Sequence, residues 1–269
     1  NNYTTAKKIK KLDYLIIDEM SMLDLKLLSK VLELIPIETK VIFCGDLGQI
    51  PPIGIGTPVK DILNSKKLKN IELLINNRQG INIIAKNSIK ILENNSNLEY
   101  KNNEFELINK DDKSCNVLKN KVQALLKQGY DLNDIMIITY SNFFVNKINN
   151  VVKELVSKEY RYKNFFTIED KVIQTKNNYD KKVFNGEIGQ IVEVKESIET
   201  DIIVQFNDNR LVTYSSKELE ELDFAYAITV NKSQGSQSKI VIFYIGKDDE
   251  KYLNSNIIYT AITRAEEKC

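Results

Sequence analysis

Two acidic clusters stand where an apolar run stops. Residues Asp13 to Ile17 read DYLII and end on Asp18 and Glu19, and residues Val41 to Cys44 read VIFC and end on Gly45 and Asp46. A carboxylate just past an apolar strand can hold the Mg²⁺ ion that bridges nucleotide phosphates, and its neighbour can orient and deprotonate an attacking water. Asp18 is therefore a candidate metal ligand and Glu19 a candidate base. The same pair also reads as a solvated helix start with an aspartate cap. In Gly45-Asp46-Leu47-Gly48-Gln49-Ile50-Pro51-Pro52 the glycines permit a tight turn, from which Gln49 can reach a terminal phosphate or a water. An ordinary Gly/Pro turn is the plain alternative.

Three further stretches carry chemistry-bearing residues. Ala227 to Ser236 (AITVNKSQGS) sets small hydroxyls, an amide, a lysine and a glycine at a strand-to-helix junction, where backbone N–H groups and hydroxyls can meet a phosphate chain. Tyr259 to Ala265 (YTAITRA) carries Arg264, and Asn76 to Gln79 carries Arg78. Either guanidinium can stabilise charge on a transferring phosphoryl group, although a lone arginine also serves as a solvated surface charge. Asn185-Gly186-Glu187-Ile188-Gly189 reads as a hairpin turn.

The elements that must position these residues follow from periodicity. Leu23, Leu27, Leu28, Val31 and Leu32 recur at helical spacing between the two acidic clusters, so the first stretch is a strand–helix–strand unit of a parallel sheet. In such sheets functional groups gather at the carboxyl ends of strands, where both acidic clusters lie. Ile135 to Tyr140 predicts a buried strand, followed by a helix with Val145, Ile148, Val152 and Leu155 on one face. From Phe165 onward short β runs at Lys171–Gln174, Gly189–Val194, Ile202–Phe206 and Leu211–Tyr214 predict a small inserted β-barrel. The α/β pattern then resumes, with a final helix expected to carry Thr260 to Arg264. The expected division is residues 1–75 for part of a first α/β domain, 76–164 with 223–269 for a second, and 165–222 for the insert.

Composition narrows the chemistry. The chain has 269 residues and no histidine, which excludes imidazole acid–base catalysis and histidine metal sites. Its net charge of +1 decides nothing about a polyanionic partner, because a local basic groove can sit in a neutral protein. Cys44, Cys115 and Cys269 are distant and odd in number, which suits a reducing, cytoplasmic setting. No apolar run approaches a membrane span.

Taken in order, the five stretches resemble motifs II and III, the β-insert signature, and motifs V and VI of superfamily 1 helicases, and Arg78-Gln79 resembles motif IV. Asp170 to Tyr179, Phe184 to Gly189 and Leu222 to Gly235 are most similar to the RecD-like branch, which is related to the Pif-type helicases. The resemblance implies RecA-like parallel-sheet domains of the P-loop NTPase type, the first one partial, with ATP in their cleft and single-stranded DNA across their top. It implies an ATP-dependent 5′ to 3′ DNA helicase that works at duplex junctions in DNA repair or recombination, near the nucleoid if the source is bacterial. By position, Asp18 would hold Mg²⁺, Glu19 would be the catalytic base, and Gln49 would sense the γ-phosphate. Arg78 and Arg264 would reach that phosphate, and Gly235 and Gln237 would lie near the nucleotide. Thr139, Asn142, Thr229, Asn231, Lys232, Ser233 and Gln234 would lie along the DNA. Tyr179 and Phe184 can stack on bases, with core packing the expected fate of Phe184.

The sequence departs from the family in places. Asn231 stands where the family commonly has histidine, and Gln237 where it often has glutamate. No Gly-x-x-x-x-Gly-Lys-Ser/Thr loop is present: the one Gly-Lys pair is Gly246-Lys247, and Val241 lies five residues before that glycine. The expectation is therefore a fragment whose phosphate-gripping loop lies upstream, and which alone hydrolyses ATP negligibly. The alternatives are a non-catalytic nucleic-acid-binding remnant, or a motor module working with nuclease, relaxase or repair-complex subunits.

Overall fold

The computed structural model describes residues 9–73, 83–101, 104–109, 112, 114–156, 166–195 and 201–269. The chain forms two compact units, one of residues 1–98 with 254–260 and one of residues 99–253 with 261–269.

In the first unit, strands β1 (Tyr14–Ile17) and β2 (Lys40–Phe43) pair in parallel, from Tyr14 opposite Lys40 to Ile17 opposite Phe43. Helix α1 (Leu25–Leu34) connects them, and its start is fixed by the Asp24 carboxylate, which accepts from the Leu27 N–H at 2.7 Å. The parallel register brings the carboxyl ends of both strands side by side, as the sequence predicts. Pro58 opens α2 (Pro58–Ser65), where its fixed φ suits the first turn. Helix α3 (Ile83–Leu92) buries Ile83, Ile84 and Ile91 on one side.

In the second unit, α4 (Asn116–Lys127) leads to β3 (Ile135–Thr139), which is buried along its whole length, and α5 (Asn142–Val156) follows. Strands β4 (Lys171–Gln174), β5 (Ile188–Lys195), β6 (Asp201–Phe206), β7 (Leu211–Tyr214) and β8 (Leu222–Phe224) make an antiparallel sheet in the order β7-β6-β5-β4-β8. Strands β6 and β7 alternate buried and more open residues, β4 is buried throughout, and a register shift between Ile191 and Glu193 bends β5. Strand β9 (Ala227–Thr229), the short helix α6 (Val230–Ser233) and β10 (Ser238–Tyr244) return the chain to a parallel sheet. Helix α7 (Ser255–Ile262), whose residues up to Thr260 belong to the first unit, precedes β11 (Ala265–Lys268), and the parallel sheet has the order β11-β10-β3-β9. The Asn149 side chain on α5 accepts from Ala227 N–H at 2.7 Å and donates to the Phe224 carbonyl at 2.8 Å, fixing β9 from the side.

Two expectations need correction. The last helix ends at Ile262, so Arg264 lies in the turn before β11, an edge strand that the polar run Ala265-Glu266-Glu267-Lys268 conceals. Phe184 is 45% exposed, because it sits on the turn between β4 and β5 and not on a core-facing strand position.

Candidate active site and nucleic-acid interface

At the carboxyl end of β1 the chain turns sharply. Glu19 has φ 49° and ψ 41°, a left-handed conformation that costs a side-chain-bearing residue energy and that concentrates at functional sites. The Glu19 N–H donates to Asp18 Oδ1 at 2.8 Å. The next N–H, of Met20, donates to the Cys44 carbonyl at the end of β2, also at 2.8 Å. A Cβ on Gly45 would lie 3.3 Å from both Met20 Cβ and Ser21 N, so glycine lets the two strand ends close on each other. Asp18 stays exposed and Glu19 half-exposed, while Met20 is buried beneath them. Ser21, which no sequence motif marks, is buried, and its hydroxyl has no partner among the described residues.

Among the described residues there is no cluster of three or more metal-ligating side chains. A single exposed carboxylate such as Asp18 nevertheless fits Mg²⁺, which keeps several waters and takes its other ligands from substrate phosphates.

Past β2 the Gly45–Ile50 loop is closely bonded. Asp46 Oδ1 accepts from Gly48 N–H at 2.8 Å, and the Gln49 N–H donates to the Asp46 carbonyl at 3.2 Å. Helix α7 supplies the rest from one face. Asn256 Nδ2 donates toward the carbonyls of Leu47, Gly48 and Gln49 at 3.2, 2.9 and 3.2 Å. The Tyr259 hydroxyl donates to Asp46 Oδ2 at 2.8 Å, and Thr260 Oγ1 accepts from Ile50 N–H at 2.9 Å. Gln49 is buried, and it is thus held in the same unit as Asp18 and Glu19.

The second unit gathers another set of predicted residues. Thr229 caps α6 by accepting from Lys232 N–H at 3.3 Å. Thr229, Lys232 and Asn142 line one cavity of about 200 Å³ together with Asn146 and Asp223. Asn231 is exposed, Gln234 half-buried, and Ser233 buried with its hydroxyl on the Val230 carbonyl. Thr139 is fully buried at the end of β3, and its hydroxyl has no partner among the described residues. Gly235 has φ +75° with open space where a Cβ would be, and Gln237 is exposed. Arg264 is buried: one of its terminal nitrogens donates to the Ser236 carbonyl at 3.3 Å and the other to Thr263 Oγ1 at 3.3 Å. The Gly235–Ser236 turn and Arg264 thus belong to one constellation. Arg78 lies outside the described residues.

On the antiparallel sheet, Tyr179 is 66% exposed and meets Phe184 edge to face, with ring centroids 6.0 Å apart. Lys176 and Lys181 nearby pair with Glu220 and Glu218.

Three families match successive parts of the chain. Residues 2–110 match an AAA domain, residues 142–206 the ATP-dependent RecD-like DNA helicase SH3 domain, and residues 224–269 the UvrD-like helicase C-terminal domain. An uncharacterized protein of Methanocaldococcus jannaschii is 29% identical over 98% of this chain and 29% of its own length. The RecD subunit of the RecBCD enzyme from Buchnera aphidicola subsp. Schizaphis graminum is 26% identical over 96% of this chain and 53% of its own. The ATP-dependent RecD2 DNA helicase of Deinococcus radiodurans is 26% identical over 95% and 36%. This chain therefore spans between 29% and 53% of the length of these relatives.

Among solved structures, the Bacteroides Pif1 helicase with ADP-AlF3 and single-stranded DNA shares the fold at TM-score 0.59 and 18% identity, over 95% of this chain and 69% of that one. The Candida albicans Pif1 helicase does so at TM-score 0.57 and 15% identity, over 94% and 70%. RecA-like parallel α/β sheets interrupted by an SH3-like sheet define a superfamily 1 helicase architecture. Within that class, the SH3-domain match and the RecD relatives support a RecD-like helicase.

Proposed function

We propose that this chain carries the motor residues of an ATP-dependent DNA helicase that moves 5′ to 3′ along single-stranded DNA and opens duplex junctions. The observation that carries the reading is Glu19, held in a left-handed turn beside Asp18 at the carboxyl edge of a parallel sheet. The chemistry follows from these positions. Glu19 takes a proton from the water that attacks the γ-phosphorus. Asp18 is the residue that would hold Mg²⁺, which when bound neutralises charge on the phosphate oxygens. Gln49 reports whether a γ-phosphate is present, and Arg264 is the cation assigned to transition-state charge. Thr229, Lys232 and Asn142, which line one cavity, form the assigned DNA-contacting surface.

Support comes from the relatives, which include an ATP-dependent DNA helicase and subunits of the RecBCD enzyme. The RecBCD subunits also support association with nuclease or other repair-complex subunits. The phosphate-gripping loop that the sequence lacks must come from elsewhere in the working protein, so the chain by itself turns over ATP negligibly.

The test is Glu19→Gln in a protein that unites this chain with a phosphate-gripping loop. Loss of a general base removes roughly 10²- to 10⁴-fold of rate. DNA-stimulated hydrolysis should fall by that order while nucleotide binding persists. A variant hydrolysing near the wild-type rate would overturn the assignment. Unwinding of substrates with a 5′ overhang, and not of those with a 3′ overhang, checks polarity.

A further inference from the structure

Asn256, Tyr259 and Thr260 are spaced i, i+3 and i+4, so they share one face of α7. That face bonds to every residue from Asp46 to Ile50. Tyr259 holds the side chain of Asp46 at one end, and Thr260 holds the N–H of Ile50 at the other. Asn256 holds the middle.

The middle has an unusual electrostatic form. The carbonyls of Leu47, Gly48 and Gln49 all lie within 3.2 Å of the same Asn256 nitrogen. Three consecutive carbonyl oxygens converging on one point repel one another, and a donor between them offsets that repulsion. A primary amide brings two hydrogens to that place and no charge. A donor at position 256 therefore favours this shape of the loop. The ends do not need it, because the bonds to Tyr259 and Thr260 and the turn bonds of Asp46 remain.

We propose that Asn256 is a positioning residue for Gln49: by gathering these carbonyls it fixes the backbone from which the Gln49 side chain projects. The inference rests on the reading of Gln49 as the γ-phosphate sensor. It assigns to Asn256 no contact with the nucleotide. Its effect is on how well the site distinguishes a triphosphate from a diphosphate, and on how fast it then reacts.

Asn256→Asp is the sharpest variant. It keeps the shape of the side chain and replaces the two donors with lone pairs facing three carbonyl oxygens. In the intact protein that includes a phosphate-gripping loop, the expected result has three parts. The kcat for DNA-stimulated hydrolysis falls by about 10- to 100-fold, the scale of a misplaced reacting group. The preference for a non-hydrolysable ATP analogue over ADP falls toward that of Gln49→Ala, while ADP affinity holds. Adding Asn256→Asp to Gln49→Ala changes kcat little further, because both act through one group. Asn256→Ala, which removes the donor without adding repulsion, gives a smaller change in the same direction.

Unchanged kcat and unchanged triphosphate preference in Asn256→Asp overturn the proposal. So does an equal loss of ADP and ATP-analogue affinity, which marks general damage to the fold. Gln49→Ala separates the two layers. If that change alone leaves hydrolysis intact, the sensor reading falls and takes this inference with it. If it lowers hydrolysis and Asn256→Asp does not, the positioning role falls alone.

Discussion

The Met20 N–H donates to the carbonyl of Cys44 at 2.8 Å, and together with the Cys44 N–H, which donates to the Ile17 carbonyl at 2.8 Å, it joins the two strand ends that carry the candidate site. To make the Met20 bond, the chain must reverse within a residue of Asp18, and Glu19 takes up the left-handed conformation that results. Glycine would do this more cheaply. A left-handed residue with a Cβ costs about 1–2 kcal/mol, whereas glycine costs about 0.5–1 kcal/mol in chain entropy.

The balance predicts that Glu19→Gly leaves the protein at least as stable as wild type while abolishing hydrolysis. Urea unfolding monitored by far-ultraviolet circular dichroism, run beside an ATPase assay on the protein that includes a phosphate-gripping loop, checks both halves. A clearly destabilised Glu19→Gly variant would show that the glutamate side chain has a structural role and that strain is not stored at this turn.

A second prediction concerns Lys153 and Asp170, both buried, with Lys153 Nζ at 2.7 and 2.5 Å from the two carboxylate oxygens. Asp170 also accepts from the Tyr226 hydroxyl and the Thr167 N–H, each at 2.6 Å. The cluster ties α5 to the start of the antiparallel sheet and to the segment entering β9. Removing one charge of a buried pair leaves the other uncompensated, at a cost of about 3–5 kcal/mol. Lys153→Met should therefore lower the unfolding free energy by that order. Replacing both residues should recover only part of the loss, because Tyr226 and Thr167 keep unpaired donors worth about 1–3 kcal/mol each. Denaturant titrations of the two single variants and the double variant measure the coupling directly.

Lys171 gives a prediction in pH. Burial pushes its ammonium down to about 8 from the ordinary 10.5, against the opposing pull of Asp131 and Asp134. Between those two values the unfolded chain binds a proton that the folded chain does not, so stability rises with pH across that window. Below about pH 8 the folded protein carries the full burden of the buried charge. That burden is on the order of 3 kcal/mol. Lys171→Met removes it and forfeits only the 3.3 Å bond to the Ile135 carbonyl, worth roughly 1 kcal/mol. The methionine variant should be more stable than wild type at pH 7, and the gap should narrow as pH approaches 10.5. A gap that stays constant with pH would show that the lysine is not desolvated.

Much of this arrangement is legible in the sequence because it follows from periodicity. Apolar runs ending at Asp18 and at Cys44, with a helical stripe between them, require parallel neighbours with adjacent carboxyl ends. The alternating pattern of β6 and β7 likewise marks the antiparallel insert. What escapes is whatever depends on distant backbone. Asn256 meets carbonyl groups some 207 to 209 residues away, and every residue type offers the same carbonyl. Lys153 lies beside the apolar stripe of α5 and reads as surface until Asp170 is brought to it. The left-handed Glu19 leaves no trace either, because glutamate has no preference for that region.

Gly48 tests how tightly the sensor loop is packed. A Cβ built there would lie 2.7 Å from Leu92 Cδ1, 2.8 Å from Tyr259 Cε1 and 3.1 Å from Asp46 Oδ1. The leucine methyl is the end of a flexible side chain and can swing away. The tyrosine ring cannot move as freely, because its hydroxyl is bonded to Asp46 at 2.8 Å. Gly48→Ala must therefore displace the ring and stretch that bond together, at an overpacking cost of about 1–3 kcal/mol. Tyr259→Ala alone loses the hydrogen bond and the ring contacts, and so also destabilises. In the double variant the new methyl occupies space the ring has left, so the two losses should sum to more than the double variant shows. A coupling of about 0.5–3 kcal/mol in that direction is the expected outcome of the thermodynamic cycle. Strict additivity would mean that the loop shifts away from α7 without resistance, and the role given to Asn256 would then have no rigid frame to act through.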